Sequence, residues 1–328
     1  MMLLIPQSLV DEIIKMNELI PIIEQSQIEY SQGKCIQPDK RGVELGERIG
    51  LLEVFIGYLS KSETMGVKIL NSRKKNPANG RPLIYANITL VDSDTGEPIA
   101  LIEGGSVTAS RTAAASAVAT KYLSRENSET LALIGTGRQG RTHLDSILEV
   151  RPIKRVSIYD INPASAISFK QESESKYDIE IEIASTVEHA VRESDIVQLC
   201  TTTKDPVVFG DWISAGTHVN SIASYAPTVR EVDNEFILKA KVVTDSRLDA
   251  LKGAGELVIP MNEGLIRENH LYAEIGEIAS GAKTGRSNDE EITFYKSMGM
   301  AVQDVAAANY IWKKALAANL GQQINLYE

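Results

Sequence analysis

The chain has 328 residues, 43% hydrophobic and 24% charged, which is long enough for two domains that each bury their own core. A formal net charge of -10 leaves no basic face for a phosphate backbone and argues against nucleic acid as a partner. Nowhere do 18 apolar residues run together, and the opening Met1–Pro6 has neither the basic flank nor the length of a signal peptide, so a cytoplasmic protein with no membrane partner is expected.

The N-terminal third opens with a helix-like segment, Val10 to Gln27, and then turns to β-type patterning. Ile84–Val91 alternates, Asp92-Ser-Asp-Thr-Gly96 supplies turn chemistry, and Pro98–Ile102 follows, so the economical reading is an antiparallel hairpin. The Ala-rich stretch Arg111–Leu123 has high helix propensity and small side chains that allow close packing. The polar link Ser124–Thr130 is taken as the domain boundary. Beyond it, apolar runs at 131–134, 155–160, 181–184, 195–200, 217–222 and 240–245 alternate with amphipathic segments, the pattern of a doubly wound α/β domain with a parallel sheet. After Asp245 the pattern loosens into Gly-rich and acidic segments up to Glu291, and Asp304–Asn319 reads as a last helix.

The most specific feature is Leu131-Ala-Leu-Ile-Gly135-Thr136-Gly137-Arg138-Gln139-Gly140, an apolar run feeding a G-x-G-x-x-G loop and then a helix-like segment. Gly135 permits the strand-to-helix turn, Gly137 lets backbone approach a pyrophosphate, and Gly140 lets helix pack on strand. The amides at the helix start then hold phosphate. A second apolar run, Arg155–Asp160, ends in an acid 20 positions after Gly140, where an acceptor for the ribose 2′-hydroxyl belongs. Ile161 and Asn162 follow with no cation, so NAD(H) is favoured over NADP(H). Thr201-Thr202-Thr203 falls at the carboxyl edge of the sheet and is a further candidate cofactor contact. His143 and His218 read as structural, Cys35 and Cys200 as free thiols, and no histidine sits in a metal-binding pattern.

Gly66-Val-Lys68, Asp94-Thr-Gly96-Glu-Pro98, Thr108-Ala-Ser-Arg111-Thr-Ala-Ala-Ala-Ser116, the glycine loop, Ala273-Glu-Ile-Gly-Glu-Ile278 and Ser297-Met-Gly299-Met-Ala301 with Asp304 together resemble the ornithine cyclodeaminase/mu-crystallin family, collinearly over nearly the whole chain. The resemblance implies an NAD(P)-dependent enzyme acting at a carbon that bears an amino or imino group beside a carboxylate. It also implies a homodimer built by the domain without the nucleotide, rejoined by the C-terminal helix. That gives a substrate and dimerisation domain of residues 1–123 with 306–328, and a nucleotide domain of 124–305.

The resemblance further implies that Arg111 and Lys68 hold the substrate carboxylate, with Arg41 as the upstream cation, and that Ser297 and Gly299 lie in the cofactor site. A guanidinium binds carboxylate bidentately, and a lysine among other cations has its proton loosened for acid–base work. Glu53 is a candidate to stabilise a cationic iminium, although its spacing from Lys68 is longer than in the family's cyclodeaminases. Asp304 either caps the last helix or orders the nicotinamide end. Where cyclodeaminases carry a basic Asp, this chain has Tyr225, and a phenol is a poor substitute as general base. The expected activity is therefore an NAD(H)-dependent oxidoreductase on the CH–NH or C=N bond of an α-amino or imino acid. Conversion of ornithine to proline and ammonia with recycled NAD is the alternative.

Overall fold

A computed structural model describes residues 1–44, 46, 50–73, 75–222 and 226–325. In chain order its helices and strands are β1 (Met2–Ile5), α1 (Gln7–Ile13), α2 (Met16–Ser31), β2 (Cys35–Ile36), β3 (Arg41–Glu44), β4 (Leu51–Leu59), β5 (Thr64–Ser72), β6 (Ile84–Asp92), β7 (Pro98–Glu103), α3 (Gly104–Leu123), β8 (Thr130–Ile134), α4 (Arg138–Leu148), β9 (Arg155–Tyr159), α5 (Pro163–Lys176), β10 (Glu180–Ile183) and α6 (Val187–Val191). There follow β11 (Ile196–Leu199), β12 (His218–Ser221), α7 (Asn234–Lys239), β13 (Lys241–Thr244), α8 (Arg247–Gly253), α9 (Gly255–Asn262), β14 (Leu271–Glu274), α10 (Ile275–Ala279), β15 (Thr293–Lys296), α11 (Ala301–Ala317) and β16 (Gln322–Ile324). Two compact units emerge, Met1–Arg111 with Met300–Glu328, and Thr112–Gly299. The division falls inside α3 and at Met300, rather than at the polar link after Leu123 and at position 306.

The first unit is built on a sheet of order β16-β1-β7-β6-β5-β4-β2, with β3 also paired to β4. Its hairpin β6–β7 is the one the turn chemistry at 92–96 announces; Asp92 Oδ1 accepts from Thr95 N at 2.8 Å and from Asp94 N at 3.2 Å. Antiparallel register fixes which side chains share a face. Phe55 lies opposite Lys68, and Lys68 opposite Ile88, so these three and Glu53 and Leu70 share one face, against which α11 packs. Val54, Ile56, Val67 and Ile69 lie on the other face, and Ile56 is 48% exposed there. The single opening helix expected over Val10–Gln27 is two helices preceded by a strand. The break is at Ile14 and Lys15, both extended, and β1 pairs with β7 and β16.

In the second unit eight strands pair in the order β10-β9-β8-β11-β12-β15-β13-β14, and every pairing is parallel. Leu131 and Leu133 face a core shared with Leu144, Ile147 and Phe169. Ala132 and Ile134 face the opposite core with Val197, Val219, Phe236 and Phe294. Helices thus cover both faces, which is why these strands read as continuous apolar runs rather than alternations. All six expected strands are present; β14 lies within the looser stretch that ends at Glu291, and β15 follows just after it. The Ala-rich end of α3 packs closely here; Ala113, Ala114, Ala115, Ala117 and Ala119 are all buried.

Candidate active site

The first unit concentrates charge in its interior. Asp304 on the first turn of α11 is 1% exposed, and its carboxylate takes Lys68 Nζ at 2.5 Å on Oδ2 and Arg111 Nε at 2.8 Å on Oδ1. Gln303 Oε1 accepts a second donor of the same guanidinium, Nη1, at 3.1 Å, so its plane is fixed. Lys68 Nζ also stands 4.3 Å above the Phe55 ring. Burial pulls the Lys68 ammonium down to about 8; Arg111 and Lys40 push the same way and Asp304 opposes them. Two cations around one carboxylate leave a net positive, dry site, the setting in which an anionic ligand is held and a proton given up near neutral pH.

Glu53 shares the Lys68 face and is drawn upward from the ordinary carboxylate range by burial, against the pull of Lys40 and Lys68. Arg41 is not brought to this cluster. It is exposed and pairs with Val54, so its side chain starts from the opposite sheet face, while Lys40 Nζ stands 5.6 Å over the Phe55 ring. Asp304 neither caps α11, whose N-cap is Met300, nor stands apart from the cations: it organises them. The helix expected from Arg111 starts earlier, at Gly104, so Arg111 is the eighth residue of α3 and its ligand role rests on this cluster. Tyr225 lies outside the described residues.

In the second unit the glycine loop joins β8 to α4. Gly135 has φ 97°, and a Cβ there would lie 2.5 Å from Cys200 O. At Gly140 a Cβ would lie 2.3 Å from Gly135 O, whereas at Gly137 it would meet nothing within 4 Å. Gly137 is the N-cap of α4 and offers no side chain to its first amides, leaving an open cradle of donors that fits a dinucleotide pyrophosphate. Arg138 and Gln139 form the first turn of α4. Asp160 follows β9 and accepts from Thr136 N at 2.8 Å, Thr136 Oγ1 at 2.9 Å and Asn162 N at 2.8 Å.

Two buried carboxylates, neither foreseen, tie down other candidate contacts. Glu231 takes Thr201 N at 3.1 Å and Thr201 Oγ1 at 2.6 Å, while the neighbouring Thr202 is exposed. Asp245 takes Ser297 Oγ at 3.1 Å and the amides of Met298 and Gly299 at 2.9 Å. Lys296 Nζ, fully buried, reaches Glu256 Oε1 at 3.0 Å and Ser221 Oγ at 2.9 Å, and Ser221 Oγ donates to Glu231 Oε2 at 2.7 Å. His143 and His218 are buried, bonded to Ser116 and Gln139 and to Thr293 and Asn220 respectively. Burial holds them down to about 4 and about 3, so both are neutral structural groups. Both cysteines are free, and among the described residues no cluster suits a metal ion and no helix is long and apolar enough to cross a membrane.

A sequence profile of the ornithine cyclodeaminase/mu-crystallin family matches residues 1–319. The chain is 37% identical over 313 residues to a Δ1-pyrroline-2-carboxylate reductase of Bacillus cereus, covering 95% of this chain and 96% of that one. Among solved structures it is similar to the Thermococcus litoralis Δ1-pyrroline-2-carboxylate reductase in complex with NADH and L-proline (TM-score 0.96, 40% identity, 98% and 100% covered). It is also similar to an archaeal alanine dehydrogenase dimer with bound NAD (TM-score 0.93, 34% identity, 99% of each chain covered). A probable ornithine cyclodeaminase from Bordetella pertussis shares the fold at 24% identity. With a glycine loop and its paired acid in one unit, a buried Lys–Asp–Arg cluster in the other, and a profile match over almost its whole length, the chain belongs to the ornithine cyclodeaminase/mu-crystallin family.

Proposed function

We propose that the protein is an NAD(H)-dependent oxidoreductase that interconverts an α-amino or cyclic secondary amino acid with its imino acid. The observation that carries this reading is the buried triad Lys68–Asp304–Arg111 in a chain that also carries a complete dinucleotide loop. Arg111 binds the substrate carboxylate with donors that Asp304 and Gln303 do not use, since a guanidinium has five. Asp304 keeps Lys68 and Arg111 in register and limits their mutual repulsion. Lys68, with its proton loosened by burial, protonates the imine nitrogen for reduction and takes the proton back in the reverse direction. Glu53 faces the positive charge of the iminium. Gly135, Thr136, Gly137, Arg138, Gln139, Gly140 and Asp160, with support from Thr201, Thr202, Ser297 and Gly299, would hold NAD(H), which would supply or take up the hydride.

The two Δ1-pyrroline-2-carboxylate reductases named above support a small cyclic imino acid such as Δ1-pyrroline-2-carboxylate as substrate. We further propose a homodimer formed through the sheet face that carries Ile56, together with Val43, 55% exposed on β3, and Tyr85, 50% exposed on β6. Apolar side chains grouped on one sheet face mark an interaction surface, and the archaeal alanine dehydrogenase is a dimer.

The test is loss of NADH absorbance with Δ1-pyrroline-2-carboxylate, Δ1-piperideine-2-carboxylate, and pyruvate with ammonia, each against NADPH. Turnover of any of these supports the reading. Proline formed from ornithine with catalytic NAD and no net NADH consumption, and no turnover of the imines, overturns it in favour of the cyclodeaminase.

A further inference from the structure

Asp160 does not stand alone at the end of β9. Its Oδ2 accepts both the amide and the hydroxyl of Thr136, at 2.8 and 2.9 Å, and its Oδ1 accepts Asn162 N at 2.8 Å. Thr136 Oγ1 also lies 2.9 Å from Ser165 Oγ on α5. A threonine hydroxyl has one proton, and here the carboxylate takes it, so Ser165 donates to Thr136 and Thr136 to Asp160. Thr136 is fully buried, which holds this relay in one geometry. An ionised carboxylate has about four acceptor positions; three are filled, and the one that remains is on Oδ1.

Of the two arginines here, Arg138 lies exposed within the loop, and Arg141, the residue after the loop, is engaged as well. Arg141 pairs with Glu172 through Nε at 2.7 Å and Nη2 at 2.9 Å, and hydrogen-bonds Thr136 O. Arg141 and Ser168 hold the Glu172 carboxyl down to about 2, so the pair persists at neutral pH. The segment Ile161-Asn162-Pro163-Ala164-Ser165 brings no basic residue.

We propose that Thr136 is the residue that sets the preference for NADH over NADPH, by locking the Asp160 carboxylate so that its single open acceptor position meets the ribose 2′-hydroxyl. This rests on the NAD(H) reading above. A hydroxyl donates to that oxygen; a 2′-phosphate, largely dianionic at neutral pH, has no proton to give and meets a fixed negative charge. An unlocked carboxylate swings aside and relieves the repulsion, whereas one tied at three points cannot. Thr136 is therefore a positioning residue that acts through Asp160.

The experiment is titration of nucleotide fluorescence for NADH and NADPH on the full-length protein, comparing wild type with Thr136→Val and Thr136→Ser. Thr136→Val keeps the shape and the backbone bond but removes the hydroxyl. The Kd ratio favouring NADH is expected to fall about tenfold, the worth of one hydrogen bond to a charged group, and Thr136→Ser is expected to restore it. Thr136→Ala, which removes the same hydroxyl with no new bulk, gives the same reading where the valine variant does not fold. An unchanged ratio in the hydroxyl-free variants overturns the role of Thr136 while leaving the cofactor reading intact. A wild type that binds NADH and NADPH equally also overturns it, and a wild type that binds neither overturns the cofactor reading itself.

Discussion

Lys68 and Asp304 meet at 2.5 Å with both side chains withdrawn from solvent, and the far oxygen of the same carboxylate holds Arg111. Removing that one negative charge leaves two buried cations facing each other. Breaking a buried pair by deleting a single partner costs about 3–5 kcal/mol. Asp304→Asn is expected to lose stability of that order in urea denaturation, and to lose turnover because the amide keeps one acceptor oxygen but no charge and so no longer holds both Lys68 and Arg111. A variant as stable and active as the wild type would show that Asp304 does not organise the cations.

The pH dependence follows from Lys68. An ordinary lysine titrates near 10.4, but here burial brings the group to about 8. Reduction uses the protonated form, so kcat/KM for imine reduction is expected to be level below about 8 and to fall tenfold per pH unit above it. Oxidation of the amino acid needs the free base and runs the other way, rising to a plateau above the same value. Lys68→Arg keeps a cation that does not titrate in this range and is expected to remove the limb at much reduced activity. Profiles flat in both directions from about pH 7 to about pH 9.5 would take Lys68 out of the proton path.

Much of this site was legible because its chemistry sits in local patterns. The glycine loop and Asp160 follow from spacing within one βαβ unit, and Lys68 and Arg111 follow from the family's segments. What escaped was set by tertiary pairing. β15 is buried at every position, with Thr293 and Lys296 as polar as its neighbours are apolar, so no alternation marks it and its lysine reads as a strand end. Arg41 reads from the sequence as the upstream cation, and one step of register instead starts its side chain on the sheet face opposite Lys68. Asp304 left one usable signal: a carboxylate in a mostly apolar, buried stretch of helix requires a cation partner. Glu231, Asp245 and Glu256 belong to no motif, and only the closure of the sheet shows which loops they hold.

The glycines of the loop separate binding from folding. At Gly137 an added methyl meets nothing within 4 Å, so Gly137→Ala is expected to melt as the wild type does while weakening NADH binding at least tenfold, because the methyl occupies the approach to the uncapped amides of α4. At Gly140 the added Cβ would lie 2.3 Å from Gly135 O and 3.0 Å from Leu133 Cδ2, which forces backbone apart. Gly140→Ala is expected to lose both NADH binding and thermal stability. Calorimetry beside nucleotide titration reads the two effects apart, and equal behaviour of the two variants would contradict the loop's geometry.

Lys296 and Glu256 pose a sharper question, whether a fully buried ion pair is kept for stability. Lys296 Nζ donates to Glu256 Oε1 at 3.0 Å, and the same oxygen accepts Glu231 N at 3.1 Å. Lys296→Met therefore strands a buried carboxylate and is expected to cost about 3–5 kcal/mol in denaturant unfolding. Adding Glu256→Gln removes the stranded charge but keeps an oxygen to accept Glu231 N, so the double variant is expected to regain most of that loss. The coupling energy from the four-cornered cycle measures the pair directly. Glu231 keeps its grip on Thr201 throughout, through Oε1 and without Lys296, so NADH affinity in the double variant is expected to stay within about threefold of wild type. Recovered stability with lost NADH binding would instead mean that the charge of Lys296, and not its packing, is what the cofactor site requires.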